Sequence, residues 1–200
     1  MSLLDALVYA GTVTFAVTGA LQGVAKRFDL VGVLILAAVT AVGGGSVRDL
    51  VSGVIPPPAL LNEPLLWAIF VAGLVVFFTH RWIPEGRALY AFDTVSLAIF
   101  AALGAERGLE VGFGFWGTLF AGVVSGVGGG VIRDLLSGEV PGILYRSGDF
   151  YASAAAGGAI AVYALHGTDQ SVALIAGSAV TVALRVGSRL ADLQLPTPRT

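Results

Sequence analysis

The chain has 200 residues, of which 56% are hydrophobic and 12% are charged, with a net charge of −2 and no cysteine. Soluble domains carry about 25% charged residues, so this composition excludes an ordinary soluble protein and indicates an integral membrane protein. The slight negative charge excludes a nucleic-acid-binding surface dominated by basic residues, and the lack of cysteine excludes disulfides and thiolate chemistry.

Seven apolar segments follow one another along the chain, each near the roughly 20 residues that a bilayer-spanning helix needs. They cover residues 4–24, 30–51, 64–79, 89–103, 111–136, 150–165 and 172–190. Backbone polar groups cannot stay unpaired in hydrocarbon, and these runs are continuous rather than alternating, which favours helices over a barrel. We therefore predict an all-α membrane protein with seven transmembrane helices.

The basic residues of the connecting segments, of the end of segment seven and of the tail beyond it are divided unevenly between the two sides of the predicted membrane. Only Arg107 falls on one side. The other side carries Lys26, Arg27, Arg81, Arg87, Arg146, Arg185, Arg189 and Arg199. Because cytoplasmic loops are enriched in lysine and arginine, this asymmetry predicts an external N-terminus and a cytoplasmic C-terminus.

Segments two and five carry the same motif, in which three glycines precede an arginine and an aspartate. The two copies are Gly-Gly-Gly-Ser-Val-Arg-Asp-Leu at 43–50 and Gly-Gly-Gly-Val-Ile-Arg-Asp-Leu at 128–135. Each glycine costs a helix about 1 kcal/mol relative to alanine, so three in a row mark a helix break or a close approach of two backbones. We expect helices two and five to be broken at these glycines. Charges inside apolar segments are functional by default, and the alternative is that they only mark helix ends at the headgroups.

The motif belongs to an internal repeat with a shift of 85 residues. This shift places residues 43–56 on 128–141 with nine of fourteen positions identical. It predicts two three-helix units at 1–84 and 85–167, followed by a seventh helix and tail at 168–200. Because three crossings is an odd number, the second unit crosses the membrane in the opposite sense, which gives an inverted repeat.

In an inverted repeat, segments two and five run antiparallel and their motifs approach each other. Neighbours at i and i+1 do not face one another on a helix. We therefore expect Arg48 to pair with Asp134 and Arg133 to pair with Asp49, or some of these side chains to turn toward water. On a straight helix that begins at residue 30, Arg48 would lie about 27 Å along the axis, close to the far headgroups.

The inverted repeat of three helices, the seventh helix and the duplicated Gly-Gly-Gly-x-x-Arg-Asp motif resemble the bacterial branch of the trimeric intracellular cation channel (TRIC) family. The runs at 15–20 and 92–94 are also similar. The resemblance implies a homotrimer in the bacterial inner membrane, with one path for monovalent cations through each protomer, lined mainly by helices two and five. Potassium is the chief expected ion, and no cofactor is implied besides the permeant potassium or sodium.

The residues that we expect along the ion path or its gate share glycine, hydroxyl or charged character near the two motifs. They are Gly43, Gly44, Gly45, Ser46, Arg48, Asp49, Asp93, Ser125, Gly128, Gly129, Gly130, Arg133 and Asp134. Carbonyl dipoles and the aspartates would select cations. Phosphoinositide binding, a property of the animal branch, is not expected because the lysine-containing form of the motif is absent.

A transporter is the alternative to a channel. The same domain family includes members interpreted as transporters of glycine or similarly small solutes, and an inverted repeat also serves alternating access. An arginine facing a carboxylate and an aspartate facing an ammonium group would suit a small zwitterion. An enzyme is not expected, since the sequence holds no phosphate-binding loop, zinc-protease motif or nucleophile elbow.

Overall fold

The computed structural model describes residues 2–144 and 150–195, and these residues form seven α-helices and no strand. The helices are α1 (Leu3–Ala25), α2 (Leu30–Val51), α3 (Glu63–Thr79), α4 (Glu85–Glu110), α5 (Phe115–Leu136), α6 (Ala152–Ala164) and α7 (Gln170–Leu190). Within the described ranges, all except α6 are long and apolar enough to cross a membrane. The 13 residues of α6 span about 20 Å. The predicted all-α membrane fold is confirmed.

Polar side chains set the start of four helices. Ser2 caps α1 in a capping box with Asp5, and the side chain of Asp29 accepts a hydrogen bond from Gly32 of α2. Asn62 and Asp169 cap α3 and α7 in the same way. Each cap satisfies amides that the first helical turn would leave unpaired.

Hydropathy placed the fourth helix less well than the others. The predicted segment 89–103 is extended at both ends, because α4 begins and ends with polar turns that hydropathy alone does not recognise. As a result Arg107 belongs to a helix rather than to a loop. The fifth helix begins at Phe115 rather than at 111, after Gly112, whose φ of +82° marks a turn.

The two halves of the chain pack alike. A Cβ atom at Gly19 of α1 would lie 2.5 Å from the carbonyl oxygen of Leu36 on α2. Shifted by 85 residues, a Cβ atom at Gly104 of α4 would lie 2.6 Å from the carbonyl oxygen of Ala121 on α5. Both glycines are required because the neighbouring backbone leaves no room for a side chain. The helix pair α1–α2 is therefore repeated by α4–α5.

Helices α2 and α5 are unbroken through their glycines, so the expected break is wrong. The glycines instead allow the two backbones to touch. A Cβ atom at Gly44 would lie 2.6 Å from the carbonyl oxygen of Ser125, and one at Gly128 would lie 2.7 Å from the Cα atom of Gly44. A Cβ atom at Gly129 would collide with the carbonyl oxygen of Thr40. Thr40 thus lies beside Gly129, and Gly44, one turn later in α2, lies beside Ser125, one turn earlier in α5. The two helices therefore cross antiparallel.

The pseudo-two-fold axis of the repeat passes between two aromatic rings. Phe15 of α1 and Phe100 of α4 occupy equivalent positions, 85 residues apart, and stack on each other with ring centroids 5.2 Å apart. Both rings are buried. A residue and its repeat equivalent can contact each other only at the axis, so this pair marks the middle of the molecule.

Helix α7 lies outside the repeat and packs against α4 and α6. Gly158 and Gly177 lie at the contact between α6 and α7, where added side chains would collide with Thr181 and Val162. The predicted boundaries after residues 84 and 167 fall between α3 and α4 and between α6 and α7, and the division into domains stays a prediction. Arg146 and Arg199, which entered the charge count, lie outside the described residues.

Candidate functional site

The arginines and aspartates of the two motifs lie at opposite ends of the molecule. They occupy the last two turns of α2 and α5, and these helices run antiparallel. We call the group around Arg48 and Asp49 the first-motif cluster, which also includes Arg107 and Glu110. The group around Arg133 and Asp134 is the second-motif cluster. Its other members are Asp93, Tyr90, Tyr151 and Arg185.

The expected pairing across the axis is wrong. Nη2 of Arg48 lies 2.7 Å from Oδ1 of Asp49, and Nη2 of Arg133 lies 2.9 Å from Oδ1 of Asp134. Each arginine folds along its own helix to the next residue, which its long side chain allows although the two Cβ atoms point apart. The helices cross at the glycines about one turn earlier, so the charged residues have already separated when the helices end.

In the first-motif cluster, Asp49 is almost fully buried and is held mainly by its neighbour. Nε and Nη2 of Arg48 both donate to Oδ1 of Asp49, at 3.0 and 2.7 Å. Nη1 of Arg48 donates to the hydroxyl of Ser125 on α5, at 3.2 Å. The predicted site residues Arg48, Asp49 and Ser125 are thus brought together, and the arginine links the end of α2 to the middle of α5.

A cavity of about 170 Å³ opens beside Asp49. Its polar lining comes from Thr12, Arg48, Asp49, Asn62, Glu106, Arg107 and Glu110. Nε of Arg107 lies 3.9 Å from Oδ1 of Asp49, while its Nη1 donates to Oε2 of Glu110 at 2.7 Å. The three acidic and two basic side chains leave this cavity with a formal charge of −1. Arg107 is one-third exposed, so solvent screens its attraction for Asp49.

The second-motif cluster is built around Asp93 of α4. Nη1 of Arg133 lies 2.8 Å from Oδ1 of Asp93, and Nη1 of Arg185 lies 2.8 Å from Oδ2. The hydroxyl of Tyr151 donates to Oδ1 of Asp93 at 3.3 Å. Asp93, Arg133 and Arg185 are 3%, 7% and 5% exposed. Buried charges are tolerated only when paired, and Asp93 pairs with two guanidinium groups at once.

A second cavity, of about 250 Å³, lies beside this cluster. It is lined by Gly86, Leu89, Tyr90, Asp93, Val131, Arg133, Asp134, Gly142, Ile143, Tyr151 and Arg185. Gly130, the third glycine of the second motif, leaves space for the side chain of Tyr151 in the lining of this cavity. A Cβ atom at Gly130 would lie 2.5 Å from the hydroxyl oxygen of Tyr151. At the equivalent Gly45 the nearest atom to an added Cβ is 3.8 Å away.

The other predicted residues take different places. Of the six motif glycines, only Gly45 lines either cavity. Gly43 lies against the side chain of Ile132. Ser46 lines neither cavity, and its buried hydroxyl makes no hydrogen bond with the described residues.

Sequence reasoning missed Arg185, Tyr90 and Tyr151, and it placed Arg107 in a loop. Arg185 was counted with the basic residues of the side predicted to be cytoplasmic, but its side chain is buried against Asp93. The available signal was its position inside an apolar helix, between Leu184 and Val186. A charge in such a run needs a buried partner.

Comparison with known proteins agrees with this architecture. A family model described as "Glycine transporter" matches residues 5–81 and 90–167. A TRIC channel solved in a study of conductance through TRIC cation channels has a TM-score of 0.90 and 36% identity, with coverage of 100% of this chain and 98% of that one. The protein belongs to the bacterial TRIC family. The family prediction is confirmed.

Other members of the family give the same result. The TRIC orthologue from Rhodobacter sphaeroides has a TM-score of 0.89 and 38% identity, with coverage of 96% of this chain and all of that one. The UPF0126 membrane protein of Deinococcus radiodurans is 47% identical over 191 residues, which cover 94% of this chain and 89% of the relative. The UPF0126 inner membrane protein YadS of Escherichia coli K12 is 34% identical, with 94% and 92% covered. These relatives are described as membrane proteins or cation channels and the family model as a transporter, and none of these descriptions is that of an enzyme.

Proposed function

We propose that this TRIC family member is a channel for monovalent cations, chiefly potassium, with one path through each protomer of a homotrimer. The observation that carries the proposal is the placement of two cavities at opposite ends of the α2–α5 pair, each lined by a buried carboxylate. These carboxylates are Asp49 in one cavity and Asp93 in the other. The family's solved relatives, described as cation channels, support the same function.

The path would connect the two cavities past the middle of the molecule. The pseudo-two-fold axis relates the two motifs to each other and passes between Phe15 and Phe100, so this aromatic pair lies at a depth between the clusters. Phe100 also lines the first cavity. The rings and the crossing at Gly44 and Gly128 would then form the narrowest part of the path, and both must shift to admit an ion.

Because the helices are unbroken, selectivity would come from side chains rather than from exposed backbone carbonyls. The first cavity has a formal charge of −1, which favours cations at its mouth. Deeper in, Asp49 and Asp93 would replace part of an ion's hydration shell. Ser46 and the motif glycines other than Gly45 would act through helix packing. Ser125 would act through the hydrogen bond that it accepts from Arg48. The remaining predicted path residues line one of the two cavities and would act there.

The orientation is part of the proposal. The end of the molecule that holds the second-motif cluster carries Lys26, Arg27 and Arg81 in its loops. It also carries Arg87 in the first turn of α4 and Arg189 at the end of α7. Even without Arg185, whose charge is buried, this end is the more basic one. We place it in the cytoplasm and the N-terminus outside, in the bacterial inner membrane.

A second candidate is transport of glycine or a similar small zwitterion. The first cavity offers the guanidinium groups of Arg48 and Arg107 together with three carboxylates, which are the groups that would bind a carboxylate and an ammonium. Half-helix ends, which broken helices would have supplied, are not available in α2 and α5. Any substrate site must therefore be made of side chains.

The deciding experiment measures current through purified protein in a planar bilayer under a potassium chloride gradient. A cation channel gives discrete steps that reverse near the potassium equilibrium potential, and Asp49→Asn reduces them. Asp192→Asn is the matched control, because Asp192 is exposed beyond α7 and asparagine tolerates its φ of +47°. A silent bilayer together with saturable glycine uptake into liposomes would overturn the channel and establish the transporter.

A further inference from the structure

Helix α7 adds one charged group to the second-motif cluster. Arg185 lies on the face of α7 that packs against α4 and α6, and its side chain is 6% exposed. A charge inside this apolar helix is costly unless the protein supplies partners for it. The cluster supplies three such partners, one carboxylate and two aromatic rings.

The contacts of Arg185 are those of a guanidinium binding site. Its Nη1 lies 2.8 Å from Oδ2 of Asp93, and its guanidinium carbon lies 4.5 Å from the ring centroid of Tyr151 and 5.0 Å from that of Tyr90. A carboxylate in the presence of aromatic faces is the arrangement that holds a planar cation. The site is thus a cation site that the chain fills with a cation of its own.

The repeat itself does not require this arrangement. The positions 85 residues before Asp93 and Tyr151 are Val8 and Leu66, and the first half has no counterpart of α7. The first cavity therefore has no arginine from α7 beside its buried carboxylate, Asp49. In the second cavity the equivalent place beside Asp93 is occupied by the guanidinium of Arg185. The two ends share the Arg-Asp pair of the motif. Helix α7 is an addition to the repeat, and its Arg185 closes the second end.

We propose that Arg185 is a tethered blocking cation, whose guanidinium occupies the site between Asp93 and Tyr151 that a permeating monovalent cation takes when the path is open. The proposal rests on the channel function proposed above and assigns the closing group at this end to α7. Opening requires the guanidinium to leave Asp93. The vacated site opens into the cavity of about 250 Å³, from which a free cation can enter it.

Arg189 provides the matched control. It lies one turn further along α7, and its guanidinium carbon lies 3.8 Å from the centroid of the Tyr90 ring. Both arginines therefore hold α7 against Tyr90. Among the described residues, however, only Arg185 and Arg133 form ion pairs with Asp93. Loss of Arg189 removes an arginine from the same helix without emptying the site.

The test compares potassium currents of wild type, Arg185→Ala and Arg189→Ala in planar bilayers, with guanidinium chloride then added at millimolar concentration. Arg185→Ala should raise the current several-fold, and Arg189→Ala should leave it near the wild-type level. Guanidinium added on the side of the second cavity should restore the block in Arg185→Ala alone. Urea, which has a similar shape and no charge, should have no effect. Unchanged current in Arg185→Ala, or no selective block by guanidinium, would overturn the proposal.

Two further measurements keep the proposal testable if Arg185→Ala folds poorly or no variant conducts. Arg185→Met retains the apolar stem of the side chain and must also raise the current. In detergent, millimolar guanidinium should raise the thermal unfolding midpoint of Arg185→Ala relative to equal concentrations of urea or sodium chloride. If no variant carries current, the channel function fails, while the unfolding midpoint still decides whether the site binds a guanidinium ion. A midpoint that guanidinium does not raise would contradict the site.

Discussion

The first-motif and second-motif clusters begin from the same sequence and end as different sites. In both, an arginine folds onto the aspartate that follows it. In the first cluster the additional cation is Arg107, one-third exposed and 3.9 Å from Asp49. In the second the additional groups are Asp93 and Arg185, which are buried, and Tyr151, which is partly buried and contacts both of them. The duplicated motif determines how α2 and α5 pack against each other. Residues outside the motif leave the cavity at one end open and close the cavity at the other end.

The largest expected difference between the clusters is in stability. Asp93→Ala takes the shared carboxylate away from two buried guanidinium groups, leaves Arg133 with Asp134 alone, and should lower the free energy of unfolding by about 3–5 kcal/mol. Asp49→Ala should cost less, because Arg48 can still donate to Ser125 and Arg107 still pairs with Glu110. Thermal unfolding midpoints in detergent would measure both. Equal losses would mean that the two clusters are energetically alike.

A double-mutant cycle sharpens the comparison for the additional cations. The Asp93–Arg185 ion pair is buried and its charged atoms lie 2.8 Å apart, so we expect a coupling energy of about 1–3 kcal/mol. The Asp49–Arg107 pair is longer and partly solvated, so its coupling should stay below about 1 kcal/mol. Unfolding of the single and double alanine variants gives both values. A larger coupling for Asp49–Arg107 would contradict the distinction between a closed end and an open one.

The third glycines of the two motifs offer a matched pair of smaller changes. Gly130→Ala forces the hydroxyl of Tyr151 away from its place against Asp93, and it should cost about 1–2 kcal/mol. Gly45→Ala meets no atom closer than 3.8 Å. Since alanine is the better helix former, Gly45→Ala should be neutral or stabilise by up to about 1 kcal/mol. Unfolding midpoints of the two variants should therefore move in opposite directions, and a loss of stability in Gly45→Ala would show that the first end is as tightly packed as the second.

The smallest effect is expected from charge at the open end. Gln22 is the residue 85 positions before Arg107, so Arg107→Gln gives α4 the side chain of its repeat equivalent. The change makes the first cavity more negative and should raise potassium conductance about two- to threefold at low salt. The gain should shrink as ionic strength rises, because the Debye length falls to about 8 Å at 0.15 M. A gain that does not depend on salt would point to a steric role of Arg107.

Much of this architecture could be predicted from the sequence. Apolar segments located all seven helices, because a bilayer sets both their length and their composition. The shift of 85 residues identified the repeat, and the motif led to the family. The ends of α4 were missed because charged turns at the membrane surface carry no hydropathy signal.

The geometry of the site could be predicted only in part. A glycine triplet is compatible with a helix break and with a close contact between two helices. The position of the Ser125 carbonyl against Gly44 shows that these glycines allow a close contact. The ion pairs depend on where two helices cross, which spacing along one chain does not determine. Arg185 was missed because its partners, Asp93 and Tyr151, belong to two other helices, and no local pattern connects them.

The most direct test asks whether the two cavities are the two mouths of one path. The chain has no native cysteine, so single cysteines can be placed at Ala59, which lines the first cavity, and at Gly86, which lines the second and has open space for a side chain. Gly167→Cys, in a loop away from both cavities, serves as the control.

A membrane-impermeant, positively charged thiol reagent is then applied to each face of a bilayer that carries potassium current. We expect it to reduce the current of Ala59→Cys from one face only and that of Gly86→Cys from the opposite face only, with Gly167→Cys unaffected. Reaction of both cysteines from the same face, or modification that leaves both currents unchanged, would contradict a path that joins the two clusters.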